Sequence, residues 1–378
     1  MNLRIRLSKF FKSRRRGIFL TAWFLFVFGA GVGSFFLADY LSIPIINPLG
    51  SSDGESDVVL ADETIREITG PLRGVFYSEE EADSWQDQRP LAVMIDNHEL
   101  ARPHQFGLQK AVLIYEAVAE GGITRFLAVF HDQAVAKLGP VRSARVYYIG
   151  WSLEFPAYYA HVGGAGTPGP ANIHSYIPAH GVLDLDQFRL GEATFASGGK
   201  VKLSNGVTLS NIKYTSTSKL WQAGEALYPG TNKLPDFSQW AFKADAPYAD
   251  RPASQKISFK FWSYPSSYAG EWRYDPITNS YLRFQGGKKH LDQATKQQLS
   301  AQNVVLAYMT DVSAGDGTGH RLYTIIGQGN AEVYLDGTKI LATWKRSSLS
   351  SRMKFYRRGT NNEISFNRGL TWIEIVPK

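Results

Sequence analysis

The chain has no cysteine among its 378 residues. Disulfides, thiolate zinc sites, a cysteine nucleophile and lipid attachment through a lipobox cysteine are therefore excluded. Other signatures are missing too. The eight His show no HExxH or similar metal spacing, the GxSxG spacing at 50–54 falls in a Pro-, Gly-, Ser- and Asp-rich stretch and not between a strand and a helix, and the glycines at 163, 164 and 166 lack the Lys-Ser/Thr pair of a P-loop. A zincin, an α/β-hydrolase and a P-loop NTPase are unsupported, and neither a metal nor another cofactor is expected. Held by burial alone, the roughly 330 residues beyond the N-terminal segment suffice for two domains of ordinary size.

Charge is missing from residues 17–38, and acidic residues from everything before Asp39. Arg4, Arg6, Lys9, Lys12, Arg14, Arg15 and Arg16 precede that uncharged run and account for the whole formal excess of +7. A helix over 17–38 would be roughly 33 Å long at 1.5 Å per residue, enough to cross a bilayer core. Cations beside a spanning segment stay on the cytoplasmic side. The expectation is a cytoplasmic basic tail (1–16), an uncleaved single-pass signal anchor (17–38), and an extracytoplasmic remainder at the cell membrane. Gly29 and Gly33 form a GxxxG spacing that would suit a weak homodimer of the anchor. The remaining 34 Lys and Arg balance 34 Asp and Glu, so the high pI reports the membrane flank and nucleic acid is not an expected partner.

Residues 39–67 are rich in Pro, Gly, Ser and Asp near their centre and read as a tether. From about Ile68 the pattern becomes periodic. Residues 91–95 read as a strand, and residues 111–119 and 123–130 as two more around Gly121 and Gly122, a hairpin signal. A helix over 144–155 would be capped by Ser143, residues 157–162 read as a strand, and Pro170 suits the first turn of another helix. Asn205 and Gly206 mark a small hairpin, as do Asp336 and Gly337. Strands at 256–262, 272–274, 281–284, 304–309, 323–326, 331–335, 338–344, 363–366 and 370–376 dominate the rest. The expected class is α+β: a mixed α/β domain over 68–245, then a β-rich sandwich or barrel over 255–378.

If Gly121 and Gly122 are the two loop residues, Glu120 faces Ile123, Val118 faces Arg125 and Glu116 faces Leu127. Glu116, Glu120 and Arg125 then share a face, and one carboxylate is left free for acid or base work unless the set is a structural ion pair. Arg142 and Arg145 flank a helix start and suit either an anionic ligand or an internal acid. His161 ends a strand before a glycine-rich loop, a place for a general base or for a packing residue. Asp96 and Asn97, near Arg102, either join that site or form a turn. Trp344, Trp372, Tyr281 and Arg283 would stack sugars or peptides if exposed, although aromatics in β-domains are mostly core.

The segments EGGITR (120–125), GPVRSAR (139–145) and AHVGG (160–164), with GQGNAEVYLDGTKILATW (327–344) and ISFNRGLTWIEIVP (364–377), resemble the bacterial YerB-like lipoprotein family over about 69–377. The resemblance implies an envelope protein outside the cytoplasmic membrane, of unknown function. It also implies recurrent polar positions at Asp96, Asn97, Arg102, Glu116, Glu120, Thr124, Arg125, Arg142, Ser143, Arg145 and His161. Two departures stand out. The lipobox cysteine of many members is absent, and Leu209, Ser210 and Asn211 replace a Pro-His-Asn run before Tyr214, Thr215 and Ser216. Three readings follow. One is a membrane-anchored binder of an anionic or polar ligand, a wall fragment or an envelope protein, through Asp96, Asn97, Arg102, Arg125, Arg142, Ser143 and Arg145. Another is a cell-wall hydrolase or transferase using Glu116, Glu120 or His161. The third is a non-catalytic scaffold.

Overall fold

The computed structural model describes residues 66–202, 208–209 and 212–378. Residues 64–378 form one compact unit, with its sheets and hydrophobic cores complete within it, so it is a self-contained folding unit. The expected basic tail, spanning helix and its Gly29–Gly33 contact lie outside the described residues, as does all but the end of the tether. Among the described residues no helix is long and apolar enough to cross a membrane.

The strands that matter are, in chain order, β1 (Leu91–Asp96), β2 (Leu113–Val118), β3 (Thr124–Phe130), β4 (Tyr158–His161), β5 (Leu183–Asp186), β6 (Lys256–Phe259), β7 (Gly270–Asp275), β8 (Ser280–Gln285), β9 (Lys288–Lys289), β10 (Ser300–Ala301), β11 (Asn303–Met309), β12 (Gly327–Leu335), β13 (Thr338–Arg346), β14 (Lys354–Arg357) and β15 (Thr371–Pro377). Ten of them make one sheet, ordered β14-β13-β12-β11-β15-β2-β3-β1-β4-β5, while β6 to β10 make a smaller one. The helices are α1 (Glu79–Asp83), α2 (Val146–Ser152), α3 (Ile173–Ala179), α4 (Gln187–Thr194) and α5 (Thr217–Leu227).

β1 shows why the sheet is central. Its residues are all buried, because alternate side chains enter different cores. Ala92 and Met94 pack with Tyr115, Leu127 and the α2 residues Tyr147, Tyr148 and Trp151. Leu91, Val93 and Ile95 pack on the other side with Phe126, Leu220 of α5, and Trp272 and Tyr281 of the smaller sheet.

The β-rich C-terminal half expected from the sequence is present, and its two sheets pack face to face. The larger sheet does not stop at the segment boundary, however. The last strand, β15, lies parallel to β2 with Thr371 opposite Leu113 and Glu374 opposite Glu116, so it joins both halves in one sheet. Neither sheet closes into a barrel among the described residues.

Two local expectations are corrected. Helix α2 begins at Val146 with Arg145 in the cap position and no side-chain cap, so Ser143 does not cap it. The reason is that residues 141–144 run between the carboxyl ends of β1 and β4: Val141 bridges Ile95 and Ala144 bridges Gly164. Likewise Pro170 precedes α3 rather than opening it, and Asn172 caps that helix by accepting from His174 N at 2.9 Å.

Candidate functional site

The β2–β3 turn decides which charges meet. Ile123 N donates to Glu120 O at 2.9 Å across Gly121 and Gly122, whose φ values are +58° and +78°, the left-handed region that glycine tolerates best. Ala119 N also donates to Ile123 O at 2.8 Å, so two residues on one side oppose one on the other. That β-bulge slips the register by one: Ala117 pairs with Arg125, and Glu116 with Phe126. Glu116 therefore projects from the opposite face to Arg125, which corrects the expectation that they line a common surface.

Glu116 is fully buried beneath the smaller sheet. Arg283 of β8 lies between Glu116 and Glu374, with a short hydrogen bond to Glu116 Oε2 and one of 2.5 Å from Nη1 to Glu374 Oε1. Its guanidinium carbon is 4.4 Å from the Trp372 ring centroid and 4.9 Å from that of Trp272. Asn97 Nδ2 donates to Glu116 Oε1 at 3.0 Å and to Thr124 Oγ1 at 2.7 Å, and Gln285 Nε2 donates to the same Glu116 oxygen at 2.8 Å. Burial, opposed by the Arg283 charge but reinforced by Glu116, pushes the Glu374 carboxyl well above the usual range. Burial beside Arg283 likewise holds His290 well below its ordinary value, and hence neutral. Glu116 is enclosed and held by Arg283, Asn97 and Gln285, not an accessible acid or base. Trp344, Trp372, Tyr281 and Arg283 are buried as well, so none of them offers a stacking surface.

The remaining flagged groups gather where six strands of like direction (β11, β15, β2, β1, β4 and β5) present their carboxyl ends. Glu120 accepts a short hydrogen bond from Arg145 Nε and one of 3.3 Å from Arg125 Nη2, with His320 Nε2 3.8 Å away. Burial raises the Glu120 pKa, but the Arg145 hydrogen bond and the Arg125 charge outweigh it and leave the carboxyl below its usual range. Arg125 Nη1 also reaches the Ser143 carbonyl at 3.4 Å. Asp96 accepts from Arg142 Nε at 2.7 Å and from His98 N at 2.9 Å. His161 is buried, with Nδ1 2.8 Å from Gly163 O and Nε2 2.6 Å from Asp184 Oδ1, so neither ring nitrogen is free for a substrate. The three acid/base candidates are thus each committed to internal partners.

Arg102 differs from the other flagged arginines. Among the described residues Arg125, Arg142 and Arg145 each pair with a carboxylate, whereas Arg102 has none. Its Nε donates to Asn97 Oδ1 at 3.2 Å and its Nη1 to Ser267 O at 2.7 Å, the guanidinium resting over Tyr268. Its Nη2 is buried without an acceptor. Burial lowers the Arg102 pKa, yet a guanidinium stays charged. Arg102 lines a cleft of about 500 Å³ with Glu99, Pro103, Ser267, Gln285, Lys288, Lys289 and His290. The hairpin that carries the two lysines turns through Gly286, where a Cβ would lie 2.7 Å from Ser267 O. Only glycine lets this tip press against the Ser266–Tyr268 turn.

The cleft lies between two segments that known proteins also carry. Residues 77–226 match the N-terminal domain, and residues 257–373 the C-terminal domain, of a protein of unknown function (DUF3048). The chain belongs to this family. "Putative lipoprotein YerB" of Bacillus subtilis (strain 168) is 29% identical over 318 residues, 83% of this chain and 88% of that protein. A crystal structure of YerB protein from Bacillus subtilis matches with a TM-score of 0.67 at 26% identity, covering 82% of this chain and 97% of that one. In DUF3048 terms, Arg102 comes from the N-terminal domain and the two cleft lysines from the C-terminal domain.

Residue reasoning missed Glu374, Gln285, His290, Lys288 and Lys289, and saw in Arg283 only a surface stack. A signal for the buried set was present. In β8 the alternation places Arg283 in phase with Tyr281 and Gln285, and in β15 it places Glu374 in phase with Trp372, so each charge occupies a core position. Nothing in the sequence told that these two charges meet Glu116, since Arg283 lies 167 residues from it.

Proposed function

We propose that the protein is a membrane-tethered binding protein that faces outward from the cytoplasmic membrane and holds an anionic ligand in the Arg102 cleft. The observation that carries this is the Arg102 guanidinium: charged, fixed by Asn97, Ser267 and Tyr268, and left with a buried donor that has no acceptor. An oxyanion bound in the cleft would offset a guanidinium charge that no carboxylate pairs with among the described residues. Lys288 and Lys289 add exposed positive charge against the single carboxylate of Glu99. Clefts at the seam of two domains are common ligand sites.

Binding without turnover is favoured over catalysis because Glu116, Glu120 and His161 are each held by internal partners. The placement outside the membrane rests on the basic tail and uncharged run of residues 1–38. A relative named as a lipoprotein is consistent with a tethered protein, and a spanning helix here takes the role of the lipid that a cysteine-free chain cannot accept.

The test incubates the folding unit, residues 64–378, with purified wall fragments and with inorganic phosphate, reading binding by calorimetry and ligand mass afterwards. Saturable binding, unchanged ligand mass and a roughly tenfold loss in the double variant Lys288→Glu/Lys289→Glu, equal to about 1.4 kcal/mol, are expected. Ligand turnover, or binding indifferent to both reversals, would contradict the reading.

A further inference from the structure

A second basic cleft shares its wall with the first. It measures about 480 Å³ and is lined by His104, Phe106, Lys137, Ser197, Tyr214, Thr215, Ser216 and Lys219 among others. Among the described residues no carboxylate lines it. The Lys137 ammonium is held 3.9 Å from the Phe106 ring centroid and 4.3 Å from that of Tyr214, a cation–π clamp that fixes its position.

The two clefts meet at a single 3₁₀ turn, Arg102–His104. Arg102 and Pro103 face the first cleft, while the next residue, His104, lines the second. Both walls are tied to this segment: Tyr214 OH donates to His104 O at 3.0 Å, and Gln293 N donates to Gln105 O at 2.8 Å. Three residues of such a turn span roughly 6 Å at about 2 Å rise each. Lys137 and Lys219 line one side of this turn and Arg102, Lys288 and Lys289 the other, with Glu99 the one carboxylate among the described lining residues, so basic groups flank the turn on both sides.

Resting on the reading of the Arg102 cleft as a ligand site, we propose that the two clefts act as consecutive subsites for one linear phosphate-bearing polymer. A small anion fills one cleft and meets only its cations. A chain with charges every few ångströms crosses the turn and meets both sets, and the second engagement is then intramolecular. Phosphate is preferred to carboxylate because four of the five cations are lysines, compact charges that suit a dense anionic group, while Arg102, whose Nε and Nη1 already donate to Asn97 and Ser267, adds its charge.

The experiment titrates residues 64–378 with inorganic phosphate, tripolyphosphate, long-chain polyphosphate and phosphatidylglycerol vesicles. The wild type is compared with Lys137→Gln/Lys219→Glu and with Lys288→Glu/Lys289→Glu, whose folding is checked by thermal melts. Long chains are expected to bind at least tenfold tighter per phosphate than tripolyphosphate, with a steeper salt dependence. Each double variant should lose that gain, and only the Lys288/Lys289 variant should weaken inorganic phosphate. Equal affinity per phosphate for short and long chains would overturn the proposal while leaving the Arg102 site standing. Binding to vesicles but not to the soluble polymer would overturn it in favour of a lipid headgroup. Loss of all phosphate binding would sink both readings.

Discussion

Replacing Glu374 by Gln should make the protein relatively more stable as the pH rises. Glu116 and Glu374 are both fully buried and share the Arg283 guanidinium, so ionising both would leave a net negative charge in a dry interior, at a cost of several kcal/mol. The pair avoids this by keeping a proton on Glu374. The unfolded chain gives that proton up near pH 4.3. Above that value the folded state binds more protons than the unfolded one, and stability from this group falls as pH rises towards the folded pKa. The slope is about 1.4 kcal/mol per pH unit for one proton. Gln at 374 retains a carbonyl oxygen for Trp272 Nε1, 2.9 Å away, and for Arg283 Nη1, 2.5 Å away, and its amide can donate to Glu116 as the protonated acid does. Urea unfolding of wild type and Glu374→Gln at about pH 5.5, 6.5 and 7.5 should therefore give a stability difference that moves in favour of the variant as the pH rises, by at most about 1.4 kcal/mol per pH unit. Parallel curves would refute the shared-proton account.

The remaining predictions concern the other face, the turn and the topology. Glu120→Gln should cost about 1 kcal/mol at neutral pH, a fall of roughly 2 °C in Tm, since the side chain is partly exposed. Because the folded pKa of Glu120 is depressed, that stabilisation is present above about pH 4.3 and fades as pH falls through the folded value; a cost that persists unchanged at pH 2 would be inconsistent with it. Gly122→Ala should destabilise more than Gly121→Ala, as both sit at positive φ but only the first places a Cβ 2.5 Å from Pro265 Cδ; thermal melts of the pair should separate by about 1 kcal/mol or more. Because the chain has no cysteine, Ser8→Cys and the exposed Thr360→Cys are each unique labels. An impermeant maleimide should label Thr360→Cys in intact cells and Ser8→Cys only after permeabilisation, and the reverse pattern would overturn the outward orientation.

Much of the fold can be read from local pattern, because burial on both faces writes an uninterrupted apolar run such as Leu91–Ile95, and turn chemistry writes Asp336-Gly337 between β12 and β13. What local pattern does not carry is the order of strands. Nothing in residues 371–377 announces that they insert beside β2 rather than closing a separate C-terminal domain. The site suffered from the same limit at finer scale. Gly121 and Gly122 correctly mark the turn, but the bulge at Ala119 and Glu120 has no sequence signature of its own, and one extra residue sends Glu116 and Arg125 to opposite faces. Polar residues chosen for their chemistry were largely those the fold uses for burial and pairing. Arg102 carried no stronger signal than Arg142, and only the absence of an ion pair to a carboxylate among the described residues sets it apart.

Hydrogen exchange of residues 64–378 with and without long-chain polyphosphate tests the central claim most directly. New protection is expected around residues 99–106, 136–137, 196–198, 213–219, 266–267 and 285–293, the stretches that wall the basic clefts. Protection confined instead to the segments carrying Glu120, Arg142 and His161, or none anywhere, would contradict the account.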